Sequence, residues 1–166
     1  MATKRRFVLA APVVQRQVTD DPKARAPTPE DADALAALMY DAYLDTIDDE
    51  GESLEEARGV VGQLMAGDFG PLLWTVSEVT ERAGRLASAT LLTTWQGHPF
   101  VAFMLTAPLH QGRGLARAGL LRAINRLAAQ GQAVVRLVVT QGNEPAERLY
   151  ERLGFVPEAQ PPLTAG

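Results

Sequence analysis

The 166-residue chain contains no cysteine. Disulfides and thiolate metal sites are thereby excluded, and so is any acyl transfer through a cysteine nucleophile. Histidine is nearly as scarce: His98 and His110 do not make the His-x-x-x-His pair of a helical metal site, and no metal is expected. No apolar run reaches membrane-spanning length. Lys4-Arg5-Arg6 followed by Phe7-Val8-Leu9-Ala10-Ala11 has the outline of a secretion leader, but Pro12 and Gln15-Arg16 cut it short, so a first strand is the better reading and a cytoplasmic protein the expectation. Positive charge is in deficit, the formal net charge being −4, which argues against nucleic acid as a partner and favours a small or cationic one. Internal repeats and low-complexity segments are missing too. With 46% hydrophobic and 22% charged residues, the composition is that of one globular domain over residues 1–166, loose only at 157–166.

What the chain does have is a glycine loop, set in the stretch Phe100 to Arg117 around which the rest is organised. An apolar run through Leu105 reads as a buried strand and Pro108 ends it. From about Arg113 the apolar spacing becomes helical, with Leu120, Leu121, Ile124, Leu127 and Ala128 on one side. Gly112 and Gly114 therefore stand at a helix entry, where unpaired first-turn N–H groups and the helix dipole favour an anion such as a pyrophosphate. A nucleotide-hydrolase P-loop needs Gly-Lys-Ser/Thr, yet Leu115 and Ala116 follow Gly114. A dinucleotide fingerprint needs a third glycine where Arg117 stands, and an acid on the next strand that Ala133 to Thr140 lacks.

Downstream, Val134 to Thr140 reads as a second buried strand. Asn143 then caps a helix with Pro145 in its first turn, Ala146, Leu149, Tyr150 and Leu153 on one face, and Gly154 at the left-handed position beyond it. The two segments, Gln111-Gly112-Arg113-Gly114-Leu115-Ala116 and Asn143-x-x-Ala146-x-x-Leu149-Tyr150-x-x-Leu153-Gly154-Phe155, resemble the paired motifs of the GNAT superfamily of acyl-CoA-dependent N-acetyltransferases. The resemblance implies an α/β (α+β) fold, with a central mixed, mostly antiparallel sheet of six to seven strands and about four helices. It also implies acetyl-CoA as cosubstrate, held by Met104, Leu105, Thr106, Gln111, Gly112, Arg113, Gly114, Leu115, Ala116, Arg117, Asn143, Ala146 and Tyr150.

Taken in order, the chain is expected to open with a strand within Phe7 to Val18, interrupted by Pro12 and so placed at an edge. A helix capped by Thr28 follows and ends near Leu44; the acidic run Asp45 to Glu52 leads to a second helix, Ser53 to Met65. Three meandering strands, Leu72–Val79, Arg85–Trp95 and Pro99–Thr106, precede a helix over Arg113–Gln130 that crosses to a parallel strand. Relatives end in two further strands where only ten residues follow Val156. The last strand is thus expected to be short, missing or supplied by a second copy in a homodimer.

Direct transfer to a primary amine of a small molecule or peptide needs the amine deprotonated, the oxyanion stabilised and the thiolate protonated. The family likeness assigns the oxyanion to a backbone N–H near Met104 to Thr106 and the last proton to the Tyr150 phenol. Relatives often carry a glutamate on the strand before the loop, but Phe100 to Thr106 has no ionisable residue. That leaves Glu78, Asp45, Asp48 and His98 as candidate bases. The other class of reading is a non-catalytic acyl-CoA sensor or interaction module.

Overall fold

The computed structural model describes residues 4–158 and 163–164. The strands are β1 (Arg5–Pro12), β2 (Ala24–Arg25), β3 (Glu78–Arg82), β4 (Arg85–Trp95), β5 (His98–Thr106), β6 (Val134–Thr140), β7 (Val156–Pro157) and β8 (Leu163–Thr164). The helices are α1 (Ala32–Tyr43), α2 (Leu54–Ala66), α3 (Leu115–Ala129) and α4 (Glu144–Arg152). One mixed sheet runs β2-β3-β4-β5-β6-β1-β7, with β8 also on β1; β5–β6 is its parallel pair among the described residues.

The β3–β4 and β4–β5 hairpins close through Ala83-Gly84 and Gln96-Gly97, with φ of 51° and 74° and of 51° and 79°. Two successive positive φ values match the right-handed twist of the strands they join. Side chains alternate across β4 and β5 and so feed two cores. Leu92, Val101 and Met104 face α3 and α4, whereas Leu91, Phe103 and Leu105 face α1 and α2.

Three expectations are corrected and one, the third below, is narrowed. First, β3 begins at Glu78 rather than Leu72, because Leu72 makes only an isolated bridge with Thr93, Leu73 N–H donates to Leu92 O at 2.8 Å, and residues 74–76 then turn before Ser77, whose hydroxyl accepts the Leu92 N–H at 2.9 Å. Second, β1 is not an edge: it stops at Pro12, where a missing N–H costs nothing to the ladder, and lies between β6 and β7. Third, the last strand, for which three outcomes were open, is the short one: β7 comes from this chain and pairs with β1 at Leu9↔Pro157 and Ala10↔Val156. Fourth, the tail is not uniformly loose: Pro157 and Leu163-Thr164 pair with β1, and Glu158 N–H donates to Val8 O at 3.0 Å. The rest of that tail lies outside the described residues.

The chain then has to travel from one side of the sheet to β2 on the other, and α3 provides the track. Asn125 clasps the Arg16 backbone, donating to its carbonyl at 2.8 Å and accepting its N–H at 2.9 Å, while Arg122 donates to Thr19 O at 2.8 Å. Thr28 stands before a 3-10 turn, Pro29–Asp31, that leads into α1. The Asp31 carboxylate accepts the Thr28 N–H and both guanidinium nitrogens of Arg25, each at 2.8 Å.

Candidate active site

Strands β5 and β6 pair only at Phe100↔Arg136 and Val101↔Leu137, then separate. Parallel strands that part expose unpaired amides and carbonyls on both lips of a cleft, which a polar, amide-bearing ligand can satisfy. The register of β4 against β5 slips at Ala102, between the pairs Leu91↔Phe103 and Leu92↔Val101. The strand irregularity therefore precedes Met104 to Thr106, where the family likeness put the backbone N–H for the oxyanion. A bulge leaves a residue outside the ladder and re-aims its backbone, here at the mouth of the split.

Beyond the split, a 3-10 turn, Pro108–His110, leads into the glycine loop. Gly112 and Gly114 adopt φ of 75° and 77°, and a Cβ on either would meet nothing within 4 Å. Their role is thus the left-handed backbone, not clearance. The first backbone bond of α3 runs from Ala118 N–H to Gly114 O at 3.0 Å, so the amides of Leu115, Ala116 and Arg117 lie ahead of it. Gln111, Arg113 and Arg117 are exposed around this cradle, and Arg113 lies 3.5 Å from His110 Nδ1. Neither arginine is in an ion pair among the described residues. Free cations beside open amides suit a diphosphate.

On the opposite lip, the Asn143 side chain caps α4, accepting the Ala146 N–H at 3.4 Å. Pro145 fits the first turn because its missing N–H would be unpaired there. The helix ends in a left-handed Gly154, φ 88°, with Phe155 N–H bonded back to Tyr150 O at 2.9 Å. This fixes Tyr150, whose ring meets Phe155 edge to face at 5.8 Å and whose hydroxyl reaches Met104 Sδ at 3.5 Å. Burial first, then the Asp48 carboxylate, pushes the phenol up to about 12. It stays protonated at neutral pH, as a proton donor must.

Met104, Asn143, Ala146 and Tyr150 thus converge on the cleft, whereas Leu105 is buried between the sheet and α1–α2 and can offer only its backbone. Thr106 is half-buried at the end of β5. Of the four candidate bases, Glu78 is consumed by Arg122 at 2.6 Å and Arg126 at 2.7 Å and is 1% exposed. Asp45 and His98 are exposed, the first in a loop and the second at a hairpin. Asp48 alone of these reaches the cleft, accepting from Thr140 Oγ1 at 2.9 Å and Asn143 Nδ2 at 3.3 Å. Sequence spacing could not single it out, since 92 and 95 residues separate it from these partners. The loop bearing Asp48 is tied from outside by Lys4, which donates to Ile47 O, and by Arg6, paired with Glu50 at 3.2 Å.

Comparison with known proteins came to one family. Its sequence model, described as the acetyltransferase (GNAT) family, matches residues 33–155. A mycothiol acetyltransferase of Streptosporangium roseum is 48% identical over 48 residues, 29% of this chain and 14% of that protein. The crystal structure of a GCN5-related N-acetyltransferase from Sphaerobacter thermophilus superimposes with a TM-score of 0.71 at 17% identity, over 95% of this chain and 50% of that one. The ribosomal-protein-S18-alanine N-acetyltransferase of Escherichia coli does so with a TM-score of 0.65 at 23% identity, over 82% and 78%. This chain accordingly spans about half the length of the first of these structures and a small part of the curated relative.

Proposed function

This chain belongs to the acetyltransferase (GNAT) family, and from that premise we propose that it transfers an acetyl group from acetyl-CoA directly to a primary amine in a ternary complex. The single observation that carries the reading is the parting of β5 and β6 with a neutral tyrosine hydroxyl set against a sulfur in the gap. In this reading the amides of Gly112 to Arg117, with Arg113 and Arg117, hold the diphosphate, and Asn143 and Ala146 line the arm that leads to the thioester. Acetyl-CoA supplies an activated acyl group with a thiol leaving group.

Asp48 takes the proton of the incoming ammonium, directly or through water, so that nitrogen can form the new C–N bond. The bulge at Ala102 turns a backbone N–H toward the oxyanion, and Tyr150 gives its proton to the sulfur as the C–S bond breaks. The nitrogen of the adduct sheds its second proton to solvent, the phenolate recovers one from it, and Asp48 releases the first to solvent for the next cycle. An unperturbed lysine-type amine has a pKa near ~10.4, so some group must take its proton at neutral pH, and Asp48 is the candidate carboxylate that reaches the cleft. Cytoplasmic location belongs to the same reading.

The test mixes the purified chain with acetyl-CoA and a panel of primary amines and titrates free thiol, with coenzyme A binding followed by calorimetry. Thiol release that requires both substrates is expected. Calorimetric binding with no turnover on any amine would instead establish a non-catalytic acyl-CoA sensor, and no binding at millimolar coenzyme A would overturn both.

A further inference from the structure

On the α1–α2 side of the sheet, opposite Tyr150, a cavity of about 120 Å³ opens between the two helices and β5. Its walls are the rings of Tyr40, Tyr43 and Phe103 with the apolar side chains of Met39, Leu44 and Val60, and Asp49 and Glu52 stand among its lining. The volume is too small for a coenzyme or a folded peptide and suits a group of a few heavy atoms. Aromatic faces carry negative potential, and carboxylates beside them strengthen it, so the chemistry selects a compact cation on an apolar stem. A neutral or anionic group gains neither term.

The cavity adjoins the proposed chemistry. Phe103, in its wall, precedes Met104, which meets Tyr150 on the other face of β5. The loop joins the two, since Asp49 lines the cavity while its neighbour Asp48 bonds Thr140 and Asn143 at the cleft; the Tyr43 phenol in the cavity wall is raised above its ordinary range by burial first, and then by Asp48, Tyr150 and Glu52. The phenol therefore remains neutral at physiological pH. Asp49 and Glu52 are held in place by the loop itself, Asp49 accepting the N–H of Asp45 and of Gly51 at 2.8 Å each and Glu52 that of Glu50 at 3.0 Å.

We propose that this cavity receives a second cationic group of the acceptor, so that the chain prefers short alkyl diamines to monoamines. The inference rests on the amine-acetylation reading above: one nitrogen reaches Asp48 at the cleft while the other sits among Tyr40, Tyr43 and Phe103. Glu52 and Asp49 neutralise it.

The probes are diaminobutane and pentylamine, which share length and differ in one terminal charge, titrated calorimetrically into the chain saturated with coenzyme A. Diaminobutane is expected to bind about tenfold more tightly, and Glu52→Gln, which keeps the acceptor for the Glu50 N–H, is expected to abolish that difference. In turnover, Glu52→Gln should raise KM for diaminobutane while kcat holds. Phe103→Ala should weaken the diamine in the same way, and if it does not fold, Glu52→Gln still decides. Equal affinity for the two amines, or a diamine preference untouched by Glu52→Gln, overturns the proposal. Selective diamine binding without acetyl transfer would sustain the cavity assignment and sink the reaction; transfer to both amines alike would do the reverse.

Discussion

The Tyr150 hydroxyl lies 3.5 Å from the Met104 thioether sulfur, across the gap where β5 and β6 part. In the proposed reaction this phenol, neutral at physiological pH, gives its proton to the thiolate that departs in the gap. Tyr150→Phe keeps the ring and its edge contact with Phe155 and removes the proton. The expected result is a fall in kcat of about 100-fold or more with coenzyme A affinity unchanged. Because the phenol titrates near 12, the wild-type rate should show no alkaline loss from this group below about pH 10. An equal loss of rate and affinity in the variant would deny Tyr150 the role of proton donor.

Gly114 tests the cradle. With φ of 77° and nothing within 4 Å of a built Cβ, Gly114→Ala strains the backbone without a clash. The strain should cost about 1 kcal/mol, lowering Tm by roughly 2–4 °C. Affinity for coenzyme A should drop more than this stability loss accounts for, because the amides that follow are re-aimed. Calorimetry on the folded variant decides; unchanged affinity would remove the loop from the binding site.

How much of the molecule is legible in its sequence divides along contact range. The glycine loop, the Asn143 cap, the Tyr150 face of α4 and Gly154 all follow from local rules, since caps and helix faces are written within a few residues. What the sequence could not display is the partner of β1. Pro12 signalled an edge, yet a strand's end tolerates proline as well as an edge does, and only the tertiary pairing tells the two apart. Asp48 was one acid in a run of several for the same reason: its distinguishing partners, Thr140 and Asn143, are distant in sequence. Glu78 reads as an ionisable strand residue, and nothing local announces that Arg122 and Arg126 enclose it.

The placement of β1 makes a prediction about dynamics. Although it opens the chain, it is bracketed by β6 and β7, and Val8, Leu9 and Ala11 are buried. Native-state hydrogen exchange should find the paired amides of Phe7 to Ala11 as slow as those of β6, opening with the global transition. Fast exchange, as at a frayed terminus, would show that β1 is not an integral strand.

Acid should weaken a second contact, between Arg25 and Asp31. The paired guanidinium, more than the Thr28 N–H, holds the Asp31 carboxyl below its ordinary range, against the opposing effect of burial. A folded-state pKa below the unfolded one gives stability that is present above about pH 4 and is lost as pH falls through the depressed value. Arg25→Gln should therefore lower Tm at neutral pH, and its deficit against the wild type should close progressively below about pH 4. A deficit that is constant with pH would assign the effect of Arg25 to packing alone.

Glu78 and Asp48 should part company under the same substitution. Glu78→Gln leaves the Arg122 and Arg126 guanidiniums facing a neutral amide inside the protein, and breaking a buried pair of this kind costs about 3–5 kcal/mol. Tm should fall by roughly 10 °C or more, while the rate measured well below the transition stays near wild type. Asp48→Asn keeps oxygen and nitrogen atoms where Thr140 and Asn143 can bond them, so Tm should move little; kcat/KM for the amine should fall about 100-fold, with coenzyme A affinity retained. Thermal melts beside steady-state rates separate the two outcomes. A stable but inactive Glu78→Gln, or an active Asp48→Asn, would exchange the roles of the buried ion pair and of the carboxylate at the cleft.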